Sequence, residues 1–254
     1  MNERILEVIL SPAEFGSLSQ RDLSQATCVV FDILRATSSM ITALGNGAEA
    51  IVPVRDIPEA LVLKKEHPEM LLAGERDGFR IGVELTGSID FDLGNSPREF
   101  IAGSVRGKTI VMTTTNGTRA LRACSRAKTV LVGSFLNLEA TQTRLLNAPP
   151  DHIVLVCSGT HEEPALEDIL AAGALCKGLW DIYKQGQVSD AAELARNAYE
   201  TLGKDLPSAM QQTRNGRRLL SIPALSDDVA CCIRRNTHNF CAGLDSSGAV
   251  RKLD

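Results

Sequence analysis

The chain has 254 residues, 44% apolar and 23% charged, ordinary values for a globular protein long enough to bury a large core. A net charge of −4 and a pI near 5.7 leave no excess of Lys and Arg for a nucleic-acid backbone, although a small anion needs only a local cluster of donors. Glu3, Arg4 and Glu7 interrupt any apolar leader and no run of about 18 apolar residues is present, so a cytoplasmic chain without membrane contact is expected.

In chain order, short apolar runs predict strands over 28–31, 50–54, 70–73, 109–112, 129–132 and 152–157, with a further strand over 4–10. Their length and Val/Ile content suit strands buried on both faces. Helices alternate with them, over 38–44, 57–66, 118–127, 138–146 and 165–183. Gly45-Asn46-Gly47 stops the first, while Asp56 caps the second ahead of Pro58. Beyond Tyr183 the strands are expected to cease, leaving helices over 190–202, 208–220 and 227–236, the first with Asp190 and Glu193 in capping-box spacing. The pattern predicts an α/β fold: a mostly parallel sheet flanked by helices on both faces, with a helical C-terminal region. Residues 1–254 are expected to form one unit, either around a single core or as two closely packed lobes with a seam near 147–151 at Asn147-Ala148-Pro149-Pro150.

The seven cysteines are scattered. Cys28, Cys157 and Cys176 lie in apolar segments, and Cys231-Cys232 lacks a second pair at metal-binding spacing, so reduced structural thiols are expected rather than zinc.

Small, polar and charged residues follow five of the strands, where open parallel sheets bind ligands. Asp32-Ile33-Leu34-Arg35-Ala36-Thr37 offers a carboxylate for Mg²⁺ or for attack on phosphorus, and a guanidinium for phosphate or carboxylate. An Asp–Arg pair that merely orders the turn is the plainer alternative. Glu75-Arg76 repeats the pairing. Thr113-Thr114-Thr115-Asn116-Gly117-Thr118 reads equally as an anion cradle of free N–H groups or as a Thr-rich helix cap at Thr115 or Thr118. Glu167-Asp168 supplies two acids at a helix start, where the dipole alone would favour them. Asp90-Phe91-Asp92-Leu93-Gly94-Asn95-Ser96-Pro97 reads as a surface turn, and His161 as a loop acid–base candidate with solvent exposure as the plainer reading.

Other motifs fail on context. Gly45-Asn46-Gly47-Ala48-Glu49-Ala50 spells a dinucleotide fingerprint after a helix instead of a strand. Cys157 ends a strand as a phosphocysteine nucleophile would, but Glu163 stands where an Arg is needed.

Five of these stretches, in order from Val30 to Gly173, resemble the 2-phosphosulfolactate phosphatase family: Val30-Phe31-Asp32-Ile33-Leu34-Arg35-Ala36-Thr37-Ser38, Leu72-Ala73-Gly74-Glu75-Arg76, Phe91-Asp92-Leu93-Gly94-Asn95-Ser96-Pro97, Thr113-Thr114-Thr115-Asn116-Gly117-Thr118 and Glu167-Asp168-Ile169-Leu170-Ala171-Ala172-Gly173. The loop over 77–90 is longer than the family pattern, Asp90 stands where Gly is expected, and the tail after Ser226 departs from it. The resemblance implies Mg²⁺-dependent hydrolysis of 2-phospho-3-sulfolactate to sulfolactate and phosphate, a step that serves coenzyme M synthesis in some organisms.

On that footing Asp32, Glu75, Glu167 and Asp168 are the expected metal ligands, with Asp32 alternatively the nucleophile. Arg35, Thr37, Arg76, Asn95, Ser96, Thr114, Thr115, Asn116, Gly117 and Thr118 are expected around the substrate, and Asp32 and Arg35 as catalytic residues. Two alternatives stand beside this: a phosphatase for another phosphorylated acid, and a non-catalytic module that binds a phosphorylated metabolite. A homodimer is the default assembly.

Overall fold

A computed structural model describes residues 3–253. Its strands are β1 (Ile5–Ile9), β2 (Thr27–Phe31), β3 (Ala50–Pro53), β4 (Leu71–Arg76), β5 (Phe79–Arg80), β6 (Thr109–Thr113), β7 (Thr129–Gly133), β8 (His152–Cys157), β9 (Gln187–Val188), β10 (Cys241–Leu244) and β11 (Val250–Leu253). Among the described residues they make one sheet of eleven strands, in the order β5-β4-β6-β3-β11-β10-β7-β2-β8-β1-β9. The fold is α/β and the sheet is mixed but mostly parallel. Every strand expected from the apolar runs is present.

The sheet consists of two parallel blocks. One is β7-β2-β8-β1-β9 and the other β3-β6-β4, with β5 folded back antiparallel on β4. The β10–β11 hairpin lies between them, meeting β7 at Gly243↔Leu131 and β3 at Val250↔Ile51, both antiparallel. Three antiparallel steps in a row give the blocks opposite local sense. Five steps separate β6 from β2, and at roughly 20–25° of twist per step the direction has turned by about 100°. The carboxyl ends of β2, β4, β6 and β8 can therefore serve one cleft.

Three apolar clusters build the core. The outer face of the first block (Val29, Phe31, Leu155, Leu6) packs against the C-terminal helices. The outer face of the second (Leu72, Val111, Val54) packs on the Ile57–Glu66 helix. A middle cluster takes Val30, Val132 and Val156 from one block and Ile51, Ile110 and Met112 from the other, with the Ala36–Gly45 helix between.

The Ile57–Glu66 helix starts where its cap predicts, with Asp56 Oδ1 accepting from the Glu59 N–H at 3.0 Å. The Leu166–Tyr183 helix buries Leu170, Leu175, Leu179 and Tyr183, each worth about 2 kcal/mol of apolar transfer. Gly173 lets the Asp190–Leu202 helix approach closely: a Cβ there would lie 2.6 Å from the Ala195 carbonyl carbon and 3.0 Å from Tyr199 Cβ.

Several expectations need correcting. Strands do not cease after Tyr183, since β9, β10 and β11 follow. Asp245 makes the β10–β11 turn by accepting from the Ser247 and Ala249 N–H groups, and Gly248 supplies a φ of +81°. The expected helix over 208–220 is two, Leu206–Gln212 and Arg214–Leu220, because Thr213 is extended and its hydroxyl caps the second. Ser189, not Asp190, caps the Asp190–Leu202 helix. Finally, β4 runs on to Arg76, so Glu75 and Arg76 lie within the strand and not beyond it. Asp77-Gly78, with φ of +54° and +84°, then forms the two-residue turn into β5.

Candidate active site

β2 is buried throughout and apolar from Cys28 to Phe31, and the first polar residue beyond it is Asp32. The chain folds tightly around that carboxylate. Asp32 Oδ1 accepts from the Ala36 N–H at 3.0 Å, the Asp32 N–H donates to Thr37 Oγ1 at 3.0 Å, and that hydroxyl donates to the Asp32 carbonyl at 2.9 Å. Thr37 is thereby committed to holding Asp32. Oδ2 faces the bare Cα of Gly117, where a Cβ would come within 2.7 Å of it.

Asp168 joins the ends of β2 and β8 by accepting from the Ile33 N–H at 2.8 Å and the Gly159 N–H at 3.0 Å. Glu167 beside it accepts from Asn215 Nδ2 through Oε1, while its buried Oε2 has no partner. Glu75 holds the loop after β6, with Oε1 accepting from the Thr115 N–H (2.9 Å) and hydroxyl (2.8 Å), and Oε2 accepting from the Gly78 N–H at 2.8 Å. Asp32, Glu75, Glu167 and Asp168 are all buried.

This crowding shows in their acidity. Burial, then the charges of Glu75 and Glu167, push the Asp32 carboxyl up to about 7. Burial, then Asp32 and Glu167, hold Asp168 well above the usual carboxylate range, and burial raises Glu167.

Arg35 is nearly fully buried. Its Nη1 donates to Asp228 Oδ2 at 2.5 Å and its Nη2 to the Gly78 carbonyl at 2.5 Å. Arg76 is half-buried and donates to the Glu75 carbonyl and Thr113 Oγ1. The Thr-rich loop is partly spent on itself: the Thr118 N–H donates to Thr114 Oγ1 at 3.3 Å and the Thr118 hydroxyl to the Thr114 carbonyl at 3.1 Å. Neither Thr115 nor Thr118 caps the helix; Asn116 occupies that position, without a side-chain cap. Asn116 Nδ2 instead crosses to the Gly159 carbonyl at 3.0 Å, and its buried Oδ1 is unpaired. Asn95 Oδ1 and Ser158 Oγ are likewise buried and unpaired.

Several of these groups border a cleft of about 90 Å³, lined among others by Asp32, Arg35, Glu75, Asn95, Asn116 and Asn215, while Glu167 and Asp168 reach it through Asn215 and Gly159 of its lining. Exposed His161 stands at its rim. A larger and more open hollow of about 1350 Å³ lies at the amino ends of β2, β7 and β8, beside Thr27, Thr129 and His152. Its acids, Glu139 and Asp151, are exposed. Size does not decide between the two, because the small cleft is lined by the buried carboxylates of Asp32 and Glu75 and by Asn95 and Asn116, whose side-chain oxygens are unpaired.

The model of the 2-phosphosulpholactate phosphatase family matches residues 15–246. The chain belongs to the 2-phosphosulfolactate phosphatase family. It is 39% identical to a probable 2-phosphosulfolactate phosphatase of Thermotoga petrophila, over 81% of this chain and 83% of that protein. Proteins of the same description from Caldanaerobacter subterraneus (37%, over 86% and 88%) and Clostridium acetobutylicum (35%, over 85% and 88%) are also similar to it.

Four of the five stretches that carry the likeness to the 2-phosphosulfolactate phosphatase family line the cleft, and the fifth holds its lining from behind through Asp168 on Gly159 and Glu167 on Asn215. The 90–97 stretch is more than the surface turn that its composition suggests. Phe91 is buried, Asp92 Oδ2 accepts from the Leu72 N–H at 2.8 Å, and Leu93 bridges to Ala73. Ser96 gives its hydroxyl to Asp228 Oδ1 at 2.6 Å. Asp228, Asn215 and Arg218, all from the C-terminal helices, were not found from the sequence. Asp227-Asp228 reads as acids favoured in a first helical turn, and nothing in local spacing marks the second as fully buried.

Proposed function

We propose that this chain is a Mg²⁺-dependent phosphatase that hydrolyses 2-phospho-3-sulfolactate to 3-sulfolactate and phosphate. The observation that carries the reading is a small cleft where buried acids with unspent oxygens adjoin a fixed guanidinium, in a chain of this family.

The donor set suits Mg²⁺, a hard cation that prefers oxygen. Asp32, Glu167 and Asp168 repel one another, which a cation would relieve, and Glu167 Oε2 and Asn116 Oδ1 are buried acceptors without partners. Among the described residues no three acids stand ready-made at metal-binding spacing. Glu75 and Asp168 already accept from backbone N–H groups with both oxygens. The ligands are therefore assigned to Asp32 and Glu167, with amide oxygen and water completing the shell, and Glu75 and Asp168 fix the loops around them. When bound, the ion neutralises phosphate charge and orients the attacking group.

The chain's own residues do the rest. Arg35 holds phosphoryl oxygens and strengthens its hold as charge spreads over them in the transition state. Thr115 and Asn116, of the loop after β6, line the same space. As the bond from water oxygen to phosphorus forms, the bond to the ester oxygen breaks, and the water proton ends on the departing alkoxide. The exposed C-terminal side, with Arg218 on the cleft wall, receives the acidic part of the substrate.

Phosphate release from 2-phosphosulfolactate tests the reading. Activity is expected to vanish in excess chelator and to return with Mg²⁺ more fully than with Zn²⁺. Full turnover after exhaustive chelation would overturn the metal assignment. Phosphate release only from other phosphorylated acids would move the substrate, and none from any monoester would leave a binding module.

A further inference from the structure

Asp228 belongs to the Ser226–Cys232 helix, far along the chain from the acids of the cleft, yet its side chain is fully buried. Three polar groups reach it. Oδ2 takes Arg35 Nη1 at 2.5 Å, while Oδ1 takes Ser96 Oγ at 2.6 Å and Arg98 Nε at 2.7 Å. The carboxylate is shared between two guanidinium groups. One of them, Arg98, is substantially exposed and turns to Asp227 and the Ala224 carbonyl as well. The other, Arg35, is buried and lines the cleft.

A buried ion pair is a poor device for stability alone, because an apolar pair of the same volume often serves as well or better. It is a good device for fixing direction. A guanidinium has five N–H donors in one plane. Asp228 takes one at Nη1 and the Gly78 carbonyl takes one at Nη2. Held at both terminal nitrogens, by residues far apart in the chain, the group is fixed in direction, and its remaining donors are available to an anion in the cleft.

We propose that Asp228 is a positioning residue of the anion site, acting through Arg35. The C-terminal helical region is thus part of the binding machinery, a role beyond that of a cover on the sheet. The proposal rests on the reading of the cleft as a site for a phosphoryl group.

A double-mutant cycle tests it, with inorganic phosphate as the probe and calorimetric titration as the readout, on the parent, Asp228→Asn, Arg35→Ala and the double variant. Asp228→Asn is expected to weaken phosphate binding by about tenfold or more, the scale of a lost hydrogen bond to a charged group. In the Arg35→Ala background the same change is expected to cost less than about twofold, since the residue through which Asp228 acts has gone. An equal loss in both backgrounds, or none in either, overturns the proposal, as does a parent that binds no phosphate.

If Asp228→Asn does not fold, Asp228→Glu provides the second measurement. It keeps the charge but displaces it by a methylene, and the same dependence on Arg35 is expected. Coupling in phosphate affinity without hydrolysis of any phosphate monoester would uphold the positioning role and sink the phosphatase reading.

Discussion

Gly117→Ala puts a methyl group against the carboxylate on which the proposed chemistry depends. Its Cβ would lie 2.7 Å from Asp32 Oδ2 and 2.6 Å from Ala36 Cβ, whereas ordinary contact begins near 3.4 Å. Either the carboxylate or the loop must retreat by most of an ångström. Two energies oppose each other. Replacing Gly in a helix gains up to about 1 kcal/mol, while overpacking a buried site costs about 1–3 kcal/mol. The variant should therefore be less stable by about 1–2 kcal/mol and remain folded. Its activity should suffer far more, because a displacement of about 1 Å at reacting groups costs about a hundredfold in rate. The assay is kcat/KM for Mg²⁺-dependent phosphate release, on protein shown by its urea transition to be folded at the assay temperature. A folded Gly117→Ala with parental turnover would mean that Asp32 Oδ2 has no part in the reaction.

Asp32→Asn keeps the shape and removes the charge, so turnover should fall by at least about a hundredfold. In chelator at pH 8 it should be no less stable than the parent, whose buried Asp32 loses folded-state stability as pH rises through about 7; marked unfolding there would make the residue structural. Glu7 is a second test of electrostatics, remote from the cleft. The hydrogen bond from His152, with Arg21 also at 2.6 Å, holds its carboxyl down from 4.5 to about 2. Glu7→Gln should cost about 1–2 kcal/mol at pH 7 once solvent screening is allowed for, and the gap should close as pH falls from about 4.5 toward 2; a gap constant over that range would rule out the ion pair as its source. Gly173→Ala should destabilise by about 1–2 kcal/mol despite the better helix former, because the new Cβ meets the Ala195 carbonyl. A raised urea midpoint would show that the helices can part at little cost.

The strands were legible because seven of them are apolar runs in a sheet covered on both faces. β10 and β11 were not, since Cys-Ala-Gly-Leu and Val-Arg-Lys-Leu are short and have no strong period, and β9 is two residues long. Of the site, Asp32 could be read from its place directly after a buried strand. Glu75 was found too, but in the wrong setting: the Asp-Gly turn signal after it marks a hairpin, so it lies inside β4. The Thr loop divided between the two readings of its composition, with Thr114 and Thr118 bonding each other and Thr115 tied to Glu75. Asp228 and Asn215 depend on how distant helices pack across the strand ends, and local patterns do not encode that.

The hairpin between the two blocks also bears on how the chain folds. β7 and β3 expose unpaired backbone donors and acceptors toward each other until residues 241–253 arrive from far along the chain to fill the gap. Within each block neighbouring strands already pair across long stretches of chain, as in Ile5↔His152 and Thr27↔Thr129, and closing the centre of the sheet adds two more such pairings, which form slowly. For that interval the molecule has two open edges facing inward, each a template for a strand from another chain. Refolding yield should therefore fall with protein concentration, and most steeply for variants that weaken the Asp245 turn, because that turn must form before both gaps can be closed together.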